Sequence, residues 1–336
     1  MTFLLAILVF GLLILVHELG HFLAAKWVGI RVYEFAIGMG PLLFSRERGG
    51  TKYSLRLFPI GGFNKMAGME PGDEDNPAGF NRKSLWQRTA VISAGSIMNI
   101  LWALVLFIFV FAVLGVPSQA NIVGEVMANS PAAQSGIQPG DKITAIDGIK
   151  VDNWNQLVDI IHESPGKTLS LTIVRGDRQF EVSTKPVLDD ENNMGLIGIK
   201  QSRQRSGLFE AVALGVKNTV VITVAIVSGL VQMITGKIPA EVAGPVGIVS
   251  ILGNVAQFGL ANILNFQGLL SLNLGLINLF PIPALDGSRL VFLGIEGLRG
   301  KPLDPQKENL IHLVGFALLI MLMLFITYQD ILRLLG

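Results

Sequence analysis

The segment LILVHELGHFLAAKW, residues 13–27, places two histidines and a glutamate in an otherwise apolar run. His17 and His21 are four residues apart, so on a helix they project from one face and can bind one metal ion. Glu18 lies beside them, where it can take a proton from an activated water. This H-E-x-x-H pattern is a metalloprotease signature, and a zinc site with three protein ligands keeps a fourth position for water.

Chance is a weak explanation for this cluster, because the whole chain contains four histidines. A charged residue at the centre of a membrane helix costs roughly 2.5–3.5 kcal/mol, so an ionisable cluster there indicates a functional site. A buried histidine bonded to a backbone carbonyl would explain one such residue. It does not explain three polar groups on adjoining faces, and the metal site is therefore favoured.

A third zinc ligand must come from His, Asp or Glu, because the chain contains no cysteine. Asp286 is the only carboxylate in the apolar run 269–294. A lone aspartate in such a run is costly unless a cation neutralises it, which makes Asp286 the candidate ligand. The alternative is that Asp286 caps a helix that begins near Gly287.

The composition is that of an integral membrane protein. Of 336 residues, 51% are hydrophobic and 15% charged, with a mean hydropathy of +0.55. The formal net charge of +1 gives no indication of nucleic-acid binding. Apolar runs predict about four transmembrane helices, at residues 2–27, 89–116, 269–298 and 310–335. The first run lacks a basic n-region and is predicted to be a retained span rather than a signal peptide.

Between the second and third runs, residues 121–187 alternate apolar and polar residues with regularly placed Gly and Asp. A hairpin signal at Asp147-Gly148 and a second at Arg175-Gly176-Asp177 indicate a soluble α+β module. The stretch SPAAQSGIQPGDKITAIDG resembles the PDZ domains of bacterial proteases. No clear Gly-Leu-Gly-Phe-type loop for a peptide carboxylate is present, so recognition of a peptide terminus is not expected. The resemblance to protease-associated PDZ domains implies a size filter, with a structural cap as the alternative.

These patterns predict four regions: a first membrane part with a cytoplasmic β-hairpin loop (1–116), a PDZ-like domain (117–190), an amphipathic or membrane-associated linker (191–265) and a second membrane part (266–336). Lys and Arg crowd residues 26–88 and 289–307, so both stretches are predicted to be cytoplasmic. The PDZ-like domain then faces the other side. Residues 208–264 either lie on the membrane surface or span it as a pair of helices.

The cytoplasmic loop contains YSLRLFPIGGFNKM, residues 53–66. Apolar and polar residues alternate on both sides of Gly61-Gly62, which is a hairpin signal. Residues 57–63 are apolar enough to enter the membrane from this loop. The hairpin is therefore a candidate for pairing with an unwound substrate as an added strand, the alternative being an ordinary interfacial hairpin.

The motif VHELGH, the later NLFPIPALDG and the intervening PDZ-like module together resemble the site-2 protease family of intramembrane zinc metalloproteases. The similarity is to bacterial members that cleave anti-sigma factors or remnant signal peptides. The resemblance implies zinc, catalytic Glu18, and ligands His17, His21 and Asp286. It further implies single-pass membrane substrates already trimmed by a site-1 protease, and an active site on the cytoplasmic side of the cell inner (plasma) membrane.

The same resemblance suggests substrate-binding residues, namely Asn99, Asn273, Asn278, Gly61, Gly62 and Phe63. Asn278 would stabilise an oxyanion, or the asparagines would only tie helices together. Gly95 and Asn99 match a family G-x-x-x-N element, but Ser96 stands where family members often carry proline. Two alternatives from other classes are a membrane scaffold that recruits partners through the PDZ-like module and a zinc transporter.

Overall fold

The computed structural model describes residues 2–69, 72–73, 76–189, 193–239, 243–301 and 304–335. The chain forms two compact units, each with its own core. The first consists of residues 1–109 and 212–336 and carries the long apolar helices. The second is the continuous stretch Val110–Ala211.

Apolar helices dominate the first unit, as the composition predicts. They are α1 (Thr2–Trp27), α2 (Leu85–Phe109, followed by a π-helical turn at Val110–Leu114 that begins the second unit), α5 (Leu208–Ile234, whose first four residues belong to the second unit), α6 (Pro245–Ala256), α7 (Leu260–Leu279) and α9 (Pro305–Leu335), together with the more polar α8 (Asp286–Arg299). Among the described residues, five helices are long and apolar enough to cross a membrane: α1, α2, α5, α7 and α9. The predicted class, a polytopic helical membrane protein with an inserted α+β module, is confirmed.

The apolar run 269–298, predicted as one span, is divided between α7 and α8, because the chain breaks at residues 280–285. Pro281 and Pro283 lie in the break, where the missing N–H groups prevent a continuous helix. Ala284 has a φ of 74°, a left-handed conformation that also ends regular structure. Asp286 therefore opens α8 instead of lying late in one long helix. Leu285 is the N-cap and forms no side-chain cap, so the carboxylate of Asp286 is not the cap.

Two long strands, β1 (Val32–Arg48) and β2 (Thr51–Met66), follow α1 and form a hairpin that turns at Gly49-Gly50. The predicted hairpin turn at Gly61-Gly62 is wrong, because both glycines lie inside β2 and the residues on either side of them pair with β1 instead of with each other. Residues 34–37 of β1 pair with 52–55 on one side and with 62–65 on the other. Among the described strands, residues 62–65 pair with β1 alone, so they lie at an edge of this sheet. Because alternate residues of a strand face opposite sides, Gly62 and Asn64 face together and Phe63 faces the opposite way.

Buried polar bonds hold the hairpin. Glu34 accepts hydrogen bonds from Ser54 Oγ at 2.6 Å and Arg56 Nη2 at 2.7 Å. Burial of Glu34 opposes ionisation, but these two donors outweigh it and lower the pKa of this carboxyl. The Arg56 guanidinium also lies 4.9 Å from the centre of the Phe63 ring, on the face away from Asn64.

Close approaches at glycine bring the membrane helices together. A Cβ at Gly20 of α1 would lie 2.8 Å from Met98 Cβ of α2, and a Cβ at Gly275 of α7 would lie 2.8 Å from the Ser96 carbonyl. At the far end of α9, buried Asp330 accepts hydrogen bonds from the N–H groups of Gly244 and Gly247. These N–H groups lack partners in the first turn of α6, so the carboxylate completes that turn.

The second unit is the predicted α+β module. Its strands are β3 (Val116–Pro117), β4 (Val123–Val126), β5 (Lys142–Ile146), β6 (Ile149–Lys150), β7 (Leu169–Arg175), β8 (Arg178–Thr184), β9 (Val187–Asp189), β10 (Met194–Leu196), β11 (Ile199–Gln201) and β12 (Arg203–Gln204), and its helices are α3 (Pro131–Gln134) and α4 (Trp154–His162). Strands β6, β5, β7 and β8 lie in that order in one sheet. Asp147 and Gly148 both have positive φ, as the predicted tight hairpin requires.

The module is longer than the predicted 117–190. That boundary lies outside the described residues, but β11 pairs with β4 and β12 pairs with β3. Residues 194–204, assigned from the sequence to the linker, therefore complete the module. The sequence pattern missed this because the pairing partners are more than 70 residues earlier in the chain. Buried Asp141 also accepts two hydrogen bonds from Arg175, at 2.6 and 2.8 Å, inside this unit.

Candidate metal centre

Three side chains from two distant segments converge in the membrane unit. His17 and His21 lie one turn apart on α1, and Asp286 is the first residue of α8. The Nε2 atoms of the two histidines are 3.1 Å apart, and each lies 3.2 Å from Asp286 Oδ2. Within the described residues, this is the one group of three His, Asp or Glu side chains whose atoms can share a metal ion.

The distances fit zinc. Ligand atoms at about 2.0–2.1 Å around a tetrahedral zinc lie about 3.3 Å from one another, close to the separations seen here. Asp286 Oδ2 is buried and forms no conventional hydrogen bond with the described residues. Two imidazole nitrogens and a carboxylate oxygen also form a donor set that suits zinc. The residues present therefore fit a zinc ion.

Helix α2 orients His21. The Nδ1 atom of this histidine lies 2.8 Å from the carbonyl oxygen of Val91, to which it can donate its proton. That tautomer leaves the Nε2 lone pair directed toward the other two ligand atoms. Helix α2 also supplies space, because a Cβ at Gly95 would lie 2.7 Å from His17 Cε1 and closer still to His21 Nε2.

Helix α8 is anchored to α2 by an ion pair. The two terminal nitrogens of Arg88 donate to the two carboxylate oxygens of Glu296, at 2.9 and 2.5 Å. Both side chains are largely buried. A bidentate Arg–carboxylate pair has a defined geometry, so it limits movement of the helix that carries Asp286. Gly287 allows the tight start of α8, since a Cβ there would overlap the carbonyls of Leu279 and Phe280.

Glu18 projects toward the edge segment of β2. A Cβ at Gly62 would lie 3.2 Å from Glu18 Cγ, and Asn64 Nδ2 lies 2.7 Å from Glu18 Oε2. Of the suggested substrate-binding residues, Gly62 therefore lies beside the predicted base. Gly61 has a φ of 94° and packs on Met39, and Phe63 packs under Arg56.

The three suggested asparagines lie on α2 and α7. Asn99 is one turn beyond Gly95 and fully buried, and neither atom of its side-chain amide has a hydrogen-bond partner among the described residues. Its backbone carbonyl accepts a bond from Ser271 of α7. Asn273 and Asn278 are half-buried on α7, and their side chains form no hydrogen bond within the described part of the chain. No hydrogen bond in that part of the chain links Asn273 or Asn278 to the three converging ligand side chains.

Sequence reasoning missed the contacts of Asn64, Val91 and the Arg88–Glu296 pair. Val91 acts through its backbone carbonyl, which no residue type reveals. Asn64 was visible as a polar residue in the hairpin, but its partner lies 46 positions earlier in the chain. Such pairs become apparent only when the hairpin is placed against α1.

Replacing Asp286 with Ala should remove most of the bound zinc. Two histidines alone hold zinc poorly, and even changes outside the ligand set lower metal affinity by about ten- to a hundredfold. Metal content of the purified variant measures the effect. Glu308→Ala, which removes a half-buried carboxylate from α9, is the control and should keep its zinc. Stoichiometric zinc in the Asp286 variant would exclude this residue from the ligand set.

Comparison with known proteins gives a consistent set of matches. The model of peptidase family M50 matches residues 5–322. A protein named regulator of sigma-W protease RasP, from Bacillus subtilis, is 34% identical, with 98% of this chain and 97% of that protein covered. A zinc metalloprotease RasP from Geobacillus kaustophilus is also 34% identical, with 97% and 96% covered. The PDZ domain of a Listeria innocua SdrC-like protein is 29% identical over 26% of this chain and 97% of that one, with a TM-score of 0.23.

Proposed function

Because the chain belongs to peptidase family M50, the site-2 protease family, we propose that His17, His21 and Asp286 hold its zinc and that Glu18 is its general base. The protein is an intramembrane zinc metalloprotease. The main support for the residue assignment is the convergence of the three ligand atoms within 3.2 Å. Glu18 adjoins His17 on the same helix.

The proposed chemistry divides between the metal and the chain. When bound, zinc polarises a peptide carbonyl and lowers the pKa of water to around 7. Glu18 takes a proton from the attacking water and delivers it to the leaving amine. Asn99 is proposed to contact substrate, because neither hydrogen-bonding atom of its buried amide has a partner among the described residues and Asn99 lies one turn from Gly95. Asn273 and Asn278 of α7 are also proposed to contact substrate.

The proposed substrates are single-pass membrane proteins, and the reaction is internal peptide hydrolysis of the site-2 metalloendopeptidase type. The relative from Bacillus subtilis is named as a regulator of sigma-W, which favours an anti-sigma factor as one substrate. A remnant signal peptide is a second candidate. We further propose that another protease trims the substrate first.

A substrate helix must unwind before it can be cut, because its peptide bonds are shielded by their own hydrogen bonds. The edge segment 62–65 of β2 is proposed to pair with the unwound substrate, with Gly61 and Gly62 allowing the close backbone approach. Main-chain pairing of this kind binds peptides of many different sequences, because the hydrogen bonds involve backbone groups. The position of Gly62 beside Glu18 would then bring the paired strand close to the base.

The deciding experiment uses purified protein in detergent and two synthetic single-pass peptides. The first, called the regular peptide, has a Leu- and Ala-rich core of about 20 residues. The second, called the breaker peptide, carries Asn-Gly at the centre of the same core. We expect zinc-dependent cleavage of both and faster cleavage of the breaker peptide. Absence of cleavage would contradict the proposed function, and equal rates would contradict the unwinding step alone.

We propose that the PDZ-like module lies on the extracytoplasmic side of the membrane. We also propose that residues 208–264 do not cross the bilayer. Helix α6 lies against the first residue of α1, since a Cβ at Gly253 would be 3.1 Å from Thr2 Cγ2, and against Asp330 near the end of α9. Residues 236 and 237 turn back onto α5. The six residues 238–243 can reach about 20 Å, less than the roughly 30 Å of the hydrocarbon core.

Single cysteines test this topology cleanly, because the natural chain has none. Gln204→Cys and Gln257→Cys should both react with an impermeant maleimide added outside intact cells. Lys301→Cys, in the α8–α9 connection, is the control and should react only after permeabilisation. Labelling of residues 204 and 257 from opposite sides would require α5 to span.

A further inference from the structure

Asn64 contacts the predicted base in an unusual way. Its side-chain nitrogen lies 2.7 Å from Glu18 Oε2 and 2.8 Å from the backbone carbonyl oxygen of the same residue. An amide nitrogen has two protons, so one proton serves each acceptor. Asn64 Nδ2 therefore bridges the backbone carbonyl and the carboxylate of Glu18. This bridge restricts the Glu18 side chain to one rotamer.

The donor itself is held firmly. Asn64 pairs with Phe35 in the hairpin, and Phe35 is buried against Phe22 of α1. Two residues earlier, Gly62 brings the strand backbone to within van der Waals distance of Glu18 Cγ. A rigid strand therefore presents the amide, and the long glutamate side chain is the part that adapts.

The other oxygen of the carboxylate is left available. Within the described residues, the recorded side-chain hydrogen bond of Glu18 is the one from Asn64 to Oε2. A base needs one oxygen directed at the water and a fixed orientation, since misplacement by about 1 Å can cost a hundredfold in rate. We propose that Asn64 is a positioning residue, which fixes the Glu18 carboxylate so that Oε1 faces the attacking water.

This inference rests on the proposed role of Glu18 as general base, and it adds a specific consequence. The same edge segment that is proposed to pair with substrate also orients the base. A substrate strand aligned on residues 62–65 is therefore in register with the carboxylate that acts on it. The metal ligands play no part in this contact, so zinc binding should be independent of Asn64.

Two substitutions of equal shape separate positioning from packing. Asn64→Leu removes the donor, and Asn64→Asp replaces it with an acceptor that repels the Glu18 carboxylate. We expect kcat for the breaker peptide to fall by about ten- to a hundredfold in the Leu variant and further in the Asp variant. KM and zinc content should stay unchanged. The matched control is Asn81→Leu, because among the described residues the Asn81 amide donates to the Gly68 carbonyl and not to Glu18.

A second readout does not depend on turnover or on zinc. Subtracting the infrared spectrum of metal-free Glu18→Gln from that of the metal-free parent isolates the Glu18 carboxylate bands. Repeating the subtraction in the Asn64→Leu background should shift these bands, and in the Asn81→Leu background it should not. Unshifted bands, unchanged kcat, or a loss of zinc parallel to the loss of activity would each overturn the positioning role. If Glu18→Gln keeps full turnover while the bands shift, Glu18 is not the general base. The proposed role of Asn64 in positioning that base is then excluded as well.

Discussion

Glu18→Gln should keep its zinc and lose nearly all peptide cleavage. The amide has the shape of the carboxylate but cannot accept a proton, and general base catalysis typically contributes about a hundred- to ten-thousandfold. We expect kcat for the breaker peptide to fall by about that factor. The structure strengthens this expectation, because Asn64 Nδ2 can donate to the amide oxygen of glutamine as it does to Glu18 Oε2. The substituted side chain should therefore stay in place.

The control for this variant is Glu47→Gln, an exposed glutamate in the same hairpin. It should cleave at the parent rate. Measured together, zinc content and kcat separate two failures. Full turnover by Glu18→Gln would exclude Glu18 as the base, whereas loss of zinc from this variant would mean that the substitution disturbs the metal site instead of the proton transfer.

Gly95→Ala should abolish zinc binding and cleavage together. The added methyl group would lie 2.7 Å from His17 Cε1 and closer to His21 Nε2, so it would enter the space between the histidines. Either the two imidazoles rotate out of position or α2 moves away from α1. Overpacking of this kind typically costs about 1–3 kcal/mol in stability, and the displaced ligands no longer share one ion. Zinc content and the melting temperature measure the two effects.

Gly294→Ala is the matched control, because a Cβ at this position of α8 would meet no atom within 4 Å. Alanine has the higher helix propensity, so this variant should be as stable as the parent or more stable. Gly20→Ala distinguishes displacement of α2 from direct displacement of the histidines. Its Cβ would contact α2 at Ala94 and Met98 but not the histidine rings. Retention of zinc by Gly95→Ala would contradict the prediction and would show that α2 can move enough to accommodate the methyl group.

Much of this molecule follows from local sequence. The four-residue spacing of His17 and His21 requires only a helix to place them on one face, and α1 is helical throughout. Apolar runs predicted α1, α2 and α9, because a bilayer demands about 20 apolar residues from any helix that crosses it. Turn residues predicted the two hairpins of the α+β module, at Asp147-Gly148 and Arg175-Gly176-Asp177, because Gly and Asp tolerate positive φ. They did not predict the turn of the β1–β2 hairpin at Gly49-Gly50.

The sequence identified Asp286 as a candidate ligand through the free-energy cost of an unpaired carboxylate in an apolar segment, which is also a local property. A lone carboxylate in an apolar run needs a counter-charge, and the basic residues of the loops required its run to point the same way as α1. Its real setting differs from that reasoning. Pro281 and Pro283 break the run, so the aspartate opens a new helix and does not sit late in an old one.

Tertiary structure alone decided which residues surround this chemistry. Gly95 makes room for the histidines, Val91 orients His21 and Asn64 binds Glu18, across separations of 46 to 78 positions in the chain. Strands β11 and β12 likewise belong to the module because of partners far earlier in the chain. Residue type and spacing carry the information for helices, turns and ligands, which form within a few residues. Contacts across the fold depend on how whole elements pack, and no short pattern encodes that.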